Sequence, residues 1–160
     1  MQLPGDFSAL TSVRTLASVP DTVCFRLSCF PAARKFGLIT TLLLSPEVSD
    51  VSVEVIVNDA DAPLPDEWKR ALGRRDVEPA ELRALIQRLS DLGVWTLGKC
   101  IGNMVDGSEF FHEAATIDKE HGIYMLNPQR NPNTAYEEIV QVYSKELLGY
   151  ALTAPSARKK

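Results

Sequence analysis

The chain of 160 residues is short of the side chains on which most metal and nucleophilic chemistry depends, with three cysteines and two histidines. Cys24 and Cys29 lie five positions apart in an apparent strand. A rise of about 3.3 Å per residue sets their Cα atoms about 16 Å apart on opposite faces, beyond disulfide reach. Cys100 has no Cys or His at ligand spacing, so all three read as reduced and mostly buried thiols. No apolar run approaches the ~18 residues that span a bilayer. The opening stretch, MQLPGDFSALTSVRTLASVP, lacks the basic start and continuous apolar centre of a secretory signal, and the expected location is the cytoplasm.

Catalytic templates are missing too. The sequence contains no G-x-S-x-G elbow, no G-x-x-x-x-G-K-[ST] phosphate loop and no G-x-G-x-x-G fingerprint. Lys and Arg nowhere alternate with aromatic residues, and the net charge is −4. Arg158, Lys159 and Lys160 form a basic end, without which 14 of the 17 basic residues face 21 acidic ones, a balance of −7. Such a body does not attract nucleic acid, and a basic protein partner suits it better.

What remains is an ordinary globular composition, 45% hydrophobic and 24% charged, in a length that suits one core. Residues 22 to 30, TVCFRLSCF, alternate as a half-buried strand and end at Pro31. FGLITTLLL, residues 36 to 44, reads as a central strand, and VSVEVIV, residues 51 to 57, as a third. Trp68 and Leu72 share one side of a short helix over residues 66 to 73 with Gly73 as its stop. A stronger helix starts at Pro79, carries Leu82, Leu85, Ile86, Leu89 and Leu92 on one side, and is capped by Gly93. The last opens with the capping box Thr134-x-x-Glu137 and turns Ile139, Val142, Tyr143, Leu147 and Tyr150 inward. The order of elements predicts a single α+β domain over residues 1–154, with about six mainly antiparallel strands, helices largely on one face, and a loose basic tail over 155–160.

VDGSEFFHEA, residues 105 to 114, is the stretch richest in chemistry. The Asp106-Gly107 pair predicts a type I′ hairpin, which requires positive φ at both central residues. A strand over 108–117, a turn over 118–122 and the returning IYML then make a three-stranded meander. In strands, Glu109-x-x-His112 and Asp118-x-x-His121 point their carboxylates and imidazoles to opposite faces. His112-Glu113 lacks the second histidine of H-E-x-x-H, since position 116 is Thr. Neither a metal nor a cofactor is expected. A nucleophilic pair of Cys100 with His112 across the meander stays open as a catalytic alternative, a small hydrolase or transferase. One of the adjacent Phe110 and Phe111 belongs to the core, and the other to a contact surface or beneath a helix.

From Ser45 to Glu67 the chain carries seven carboxylates and no Lys or Arg. Glu47, Asp50, Asp59 and Asp61 in this region, with Phe110 and Phe111, are the candidate partner-binding residues.

A helix ending in Leu-Gly-Val-Trp (92 to 95), then Asp106-Gly107, a strand with aromatics and His112, then Tyr124, Asn127-Pro128 and a closing helix, resembles a loose group of small bacterial α+β proteins over residues 80–150. Some of that group look like immunity proteins of polymorphic toxin systems. The resemblance implies a non-enzymatic, cytoplasmic protein that binds a protein partner such as a basic toxin. A subunit of a larger assembly, or a homodimer that completes an exposed sheet edge, is a third reading.

Overall fold

The computed structural model describes residues 11–30, 36–57, 66, 69, 72–101, 107–128 and 134–147. One open sheet of seven strands organises them, in the order Gly73–Asp76 (β4), Ser49–Val57 (β3), Phe36–Leu44 (β2), Val23–Phe30 (β1), Glu109–Ala115 (β6), Glu120–Leu126 (β7) and Cys100–Ile101 (β5). The three long strands predicted in the first third are β1 (Val23–Phe30), β2 (Phe36–Leu44) and β3 (Ser49–Val57). They pair antiparallel in sequence order, with Phe25 opposite Leu42 and Leu42 opposite Val51. That row, with Leu27, Cys29, Leu38 and Val53 beside it, faces the main core. β6 (Glu109–Ala115) pairs with the other edge of β1, and β7 (Glu120–Leu126) pairs with β6.

Helix α2 (Pro79–Asp91) covers the core face with Leu82, Leu85, Ile86 and Leu89, each of which gains about 1.5–3 kcal/mol from leaving water. Gly93 follows at φ 100°, as a helix stop requires. Helix α3 (Ala135–Gln141) covers the same face. Thr134 caps it by accepting the Glu137 N–H at 3.3 Å, as the capping box predicts. The helix then widens into a π-helical turn over Val142–Leu147, and Ile139, Val140, Val142, Tyr143 and Ser144 are buried. Tyr150 and residues 155–160 lie outside the described residues.

Helix α1 (Val13–Leu16), which no sequence pattern announces, lies on the opposite face. It closes Val13 and Ala17 over Cys24 and Ala115. Helices therefore occupy both faces of the sheet, two on one and a short one on the other. Cys24 and Cys29 are buried on opposite faces of β1 with their thiols reduced. Burial pushes the thiol of Cys24 up to about 12 and raises that of Cys29 as well.

Three expectations need correction. Asp66 and Lys69 are helical, but Gly73, at φ 113°, opens an unforeseen strand, β4 (Gly73–Asp76), which pairs with β3. The Asp106-Gly107 hairpin does not form with β6. Both edges of β6 are occupied along its whole length, by β1 and by β7, which leaves no room for a preceding strand. β5 (Cys100–Ile101) instead runs parallel to β7 on the far side, and Gly107 is not in the left-handed region. The next turn is also displaced. It spans Thr116 to Lys119, closed by the Thr116 N–H on the Lys119 carbonyl at 2.8 Å, so Glu120, His121 and Gly122 belong to β7.

Candidate functional site

The alternation of β6 sorts the residues of the EFFHEAA segment by face. Phe110, His112 and Ala114 point into the core, and Glu109, Phe111 and Glu113 point to the face that carries α1. β7 does the same, sending Ile123 and Met125 inward and Tyr124 outward.

On the outer face Phe111 stands opposite Tyr124, and both are half-buried. The Tyr124 hydroxyl donates to Glu109 Oε1 at 2.8 Å. Desolvation, then the bond to Glu109 and the charge behind it, push this phenol up to about 12. The ring of Phe111 reaches across to exposed Gly122, where a Cβ would stand 2.9 Å from the ring's Cζ. A glycine in this strand is thus explained by the aromatic neighbour that lies over it. Glu113 stands opposite Arg26. Desolvation raises its carboxyl, with the arginine pulling the other way and Glu120 adding to the rise. Arg26 is buried and donates Nε–H to Thr41 Oγ1 at 3.0 Å and an Nη2–H to the Thr11 carbonyl at 2.9 Å. Exposed Glu120 makes a 3.5 Å ion pair with exposed Arg14 of α1. Two aromatic rings and three carboxylates, Glu109, Glu113 and Glu120, therefore share the β6–β7 side of this face.

On the core face, His112 is fully buried and its Nε2 lies 2.8 Å from the hydroxyl of Tyr143. Nδ1 has no hydrogen-bond partner. The imidazole packs edge-on against Phe25 and Tyr143, with ring centroids 5.5 and 5.6 Å away. Desolvation, with a smaller push from His121, brings the imidazole down to about 3, and burial also raises the Tyr143 phenol. At neutral pH the pair is an uncharged internal contact.

Cys100 is not brought to His112. β7 intervenes, since Cys100 pairs with Met125 and His112 with Ile123, and two strand spacings of about 4.8 Å separate them. Glu109 and His112 diverge as expected of a strand, and His121 contacts the Leu97 carbonyl at 2.7 Å through Nε2. No group of three or more His, Cys, Asp or Glu placed to hold a metal occurs among the described residues.

The candidate contact residues divide. Phe111 is on the half-open outer face and Glu47 is exposed in the β2–β3 turn. Phe110 is buried in the core, which removes it from any contact surface. Asp50 is buried as well, with its carboxylate paired to Arg74 of β4, so it offers no free charge to a partner. Asp59 and Asp61 lie outside the described residues. Reading the sequence for single motifs missed Tyr124, Glu109 and Glu113 as companions of Phe111. The signal that groups them is the period of two carried across two strands in register.

Trp95 packs edge-on against Phe25 at 5.5 Å, and Lys119 Nζ sits 3.9 Å from the Trp95 ring centroid. Trp68 lies outside the described residues. No helix among the described residues is long and apolar enough to cross a membrane. No family model, no curated protein and no solved structure matches the chain.

Proposed function

We propose that this chain is a non-enzymatic, cytoplasmic binding protein of the immunity type from a bacterium, whose partner is a protein such as a basic toxin rather than nucleic acid or a membrane. The observation that carries the reading is the outer β6–β7 face. Phe111 and Tyr124 stand opposite each other there, and Glu109, Glu113 and Glu120 flank them, with Arg26 and Arg14 offsetting part of that negative charge. Aromatic anchors with flanking charge are what protein interfaces use for affinity and orientation. The separation of Cys100 from His112, and the engagement of His112 by Tyr143, weigh against the nucleophilic alternative.

The test is co-expression with the product of the neighbouring reading frame. If that product is a toxin, the chain should co-purify with it and restore growth. Phe111→Ser combined with Tyr124→Ser should abolish both effects while leaving the circular dichroism spectrum unchanged. Rescue that is indifferent to this double substitution would place the contact elsewhere, and a harmless neighbour that does not bind would remove the immunity reading.

A second reading, assembly through the sheet edge, rests on a different observation. β5 pairs only with Met125 and Leu126, so Glu120–Tyr124 of β7 has no strand on its outward side among the described residues. A homodimer that pairs these edges would show twice the chain's mass of 17.7 kDa by light scattering.

A further inference from the structure

The closing helix meets the sheet through a polar contact set among apolar side chains. Tyr143, in the π-helical turn, sets its hydroxyl 2.8 Å from Nε2 of His112 on β6, and both residues are 0% exposed. The neighbours of His112 are hydrocarbon: Phe25 lies edge-on to the imidazole, and Leu27 of β1 and Ile123 of β7 stand opposite it across the sheet, in the core cluster that also holds Tyr143. A neutral imidazole fits here. An imidazolium does not, because it must donate from both nitrogens and Nδ1 meets no acceptor. His121, two positions beyond the β6–β7 turn, also opposes protonation of His112. Glu113 and Arg26 belong to the opposite face and offer no counter-charge within the core.

A π-helical turn marks the same place. Its wider hydrogen-bonding loop costs stability relative to α-helix and recurs where a side chain must be aimed. In this molecule the turn begins directly after α3 and aims Tyr143 at His112.

We propose that the Tyr143–His112 contact is a proton-sensitive latch: it holds the closing helix on the sheet while the imidazole is neutral, and acidification releases the helix before the sheet unfolds. Detachment brings water to the imidazole, which then protonates near its ordinary value of 6.5 rather than near 3. The open form therefore binds a proton that the closed form refuses. Its population relative to the closed form rises about tenfold between pH 7.5 and pH 5.5.

Amide hydrogen exchange read by mass spectrometry tests this, with protection compared at pH 7.5 and 5.5 after correction for intrinsic rates. Residues 135–145 should be less protected than β1 and β2 at both values, and their protection should fall about tenfold on acidification. His112→Phe should remove the fall. If that variant does not fold, Tyr143→Phe serves instead: it should lower the helix's protection already at pH 7.5. His121→Gln should keep the pH dependence. Equal protection of helix and sheet would mean that the helix opens only with global unfolding and would overturn the latch. So would a pH-independent helix, a fall that survives His112→Phe or disappears with His121→Gln, or an unchanged helix in Tyr143→Phe.

Discussion

A methyl group added to Gly107 would collide with the side chain of Asn127, which comes from the far end of β7. The Asn127 N–H donates to the Ser108 carbonyl at 3.0 Å, and Asn127 itself has φ 49°. Gly107 is thus small because the side-chain amide of Asn127 lies over it, and its own conformation does not require glycine. Gly107→Ala should cost about 1–3 kcal/mol in urea unfolding, as overpacking does. Gly98→Ala should stay within about 0.5 kcal/mol, because nothing stands within 4 Å of the added carbon. Equal effects at the two positions would refute the close-approach account. Glu113 supports a second prediction. Its carboxyl is raised above 4.5 in the folded chain, so ionisation costs more folded than unfolded. The cost is present at neutral pH and disappears as pH falls below both values. Glu113→Gln should therefore unfold at higher denaturant than wild type at pH 7, and the difference should vanish by about pH 3.5. A variant that is less stable at pH 7 would show that attraction to Arg26 outweighs desolvation.

At the scale of elements, what could be read from the sequence depended on whether a local pattern existed. β1 to β3 carry period-two or continuous apolar runs, and α2 and α3 carry apolar stripes with end signals, so all five were legible with small boundary errors. β4 was not. Its residues Gly73, Arg74, Arg75 and Asp76 are all exposed and apolar periodicity has nothing to act on. Such a charged strand suits a sheet edge, where it discourages pairing with other chains. The Asp106-Gly107 rule failed for the opposite reason: it is local, whereas the occupancy of both edges of β6 is decided by β1 and β7. The His112–Tyr143 contact spans 31 positions, and each residue alone reads as core.

β4 also carries a prediction of its own. Asp76 stands directly opposite Asp50, an unfavourable like-charge pair, and Arg74 on the diagonal offsets it by binding the buried Asp50 carboxylate. Arg74→Ala should cost about 1–3 kcal/mol in thermal unfolding, more than a surface ion pair is worth, because a buried carboxylate loses its partner. Asp50→Asn combined with Arg74→Ala should recover much of that loss. A single variant indistinguishable from wild type would mean that water already solvates Asp50.

For the whole molecule, the question is which part of the acidic surface meets a partner. Composition placed it between Ser45 and Glu67, but the fold divides that stretch, since Asp50 is paired and buried while Glu47 and Glu54 are exposed on separate elements. Register instead gathers Glu109, Glu113 and Glu120 around Phe111 and Tyr124 on one face. The two regions predict different kinetics once a basic partner is in hand. Charge distant from the buried centre of an interface acts mainly on association and is screened by salt, whereas aromatic anchors act mainly on dissociation. Glu47→Lys should change the association rate by less than about threefold if the turn lies outside the contact, and Glu120→Lys should slow it more, with a shallower salt dependence. Phe111→Ser with Tyr124→Ser should raise the dissociation rate by at least about tenfold and leave the salt slope of association intact. Should Asp59→Lys with Asp61→Lys carry the whole electrostatic effect instead, the contact would lie on the segment that follows β3 in sequence, and the β6–β7 face would be left as an aromatic cover for the sheet with no part in binding.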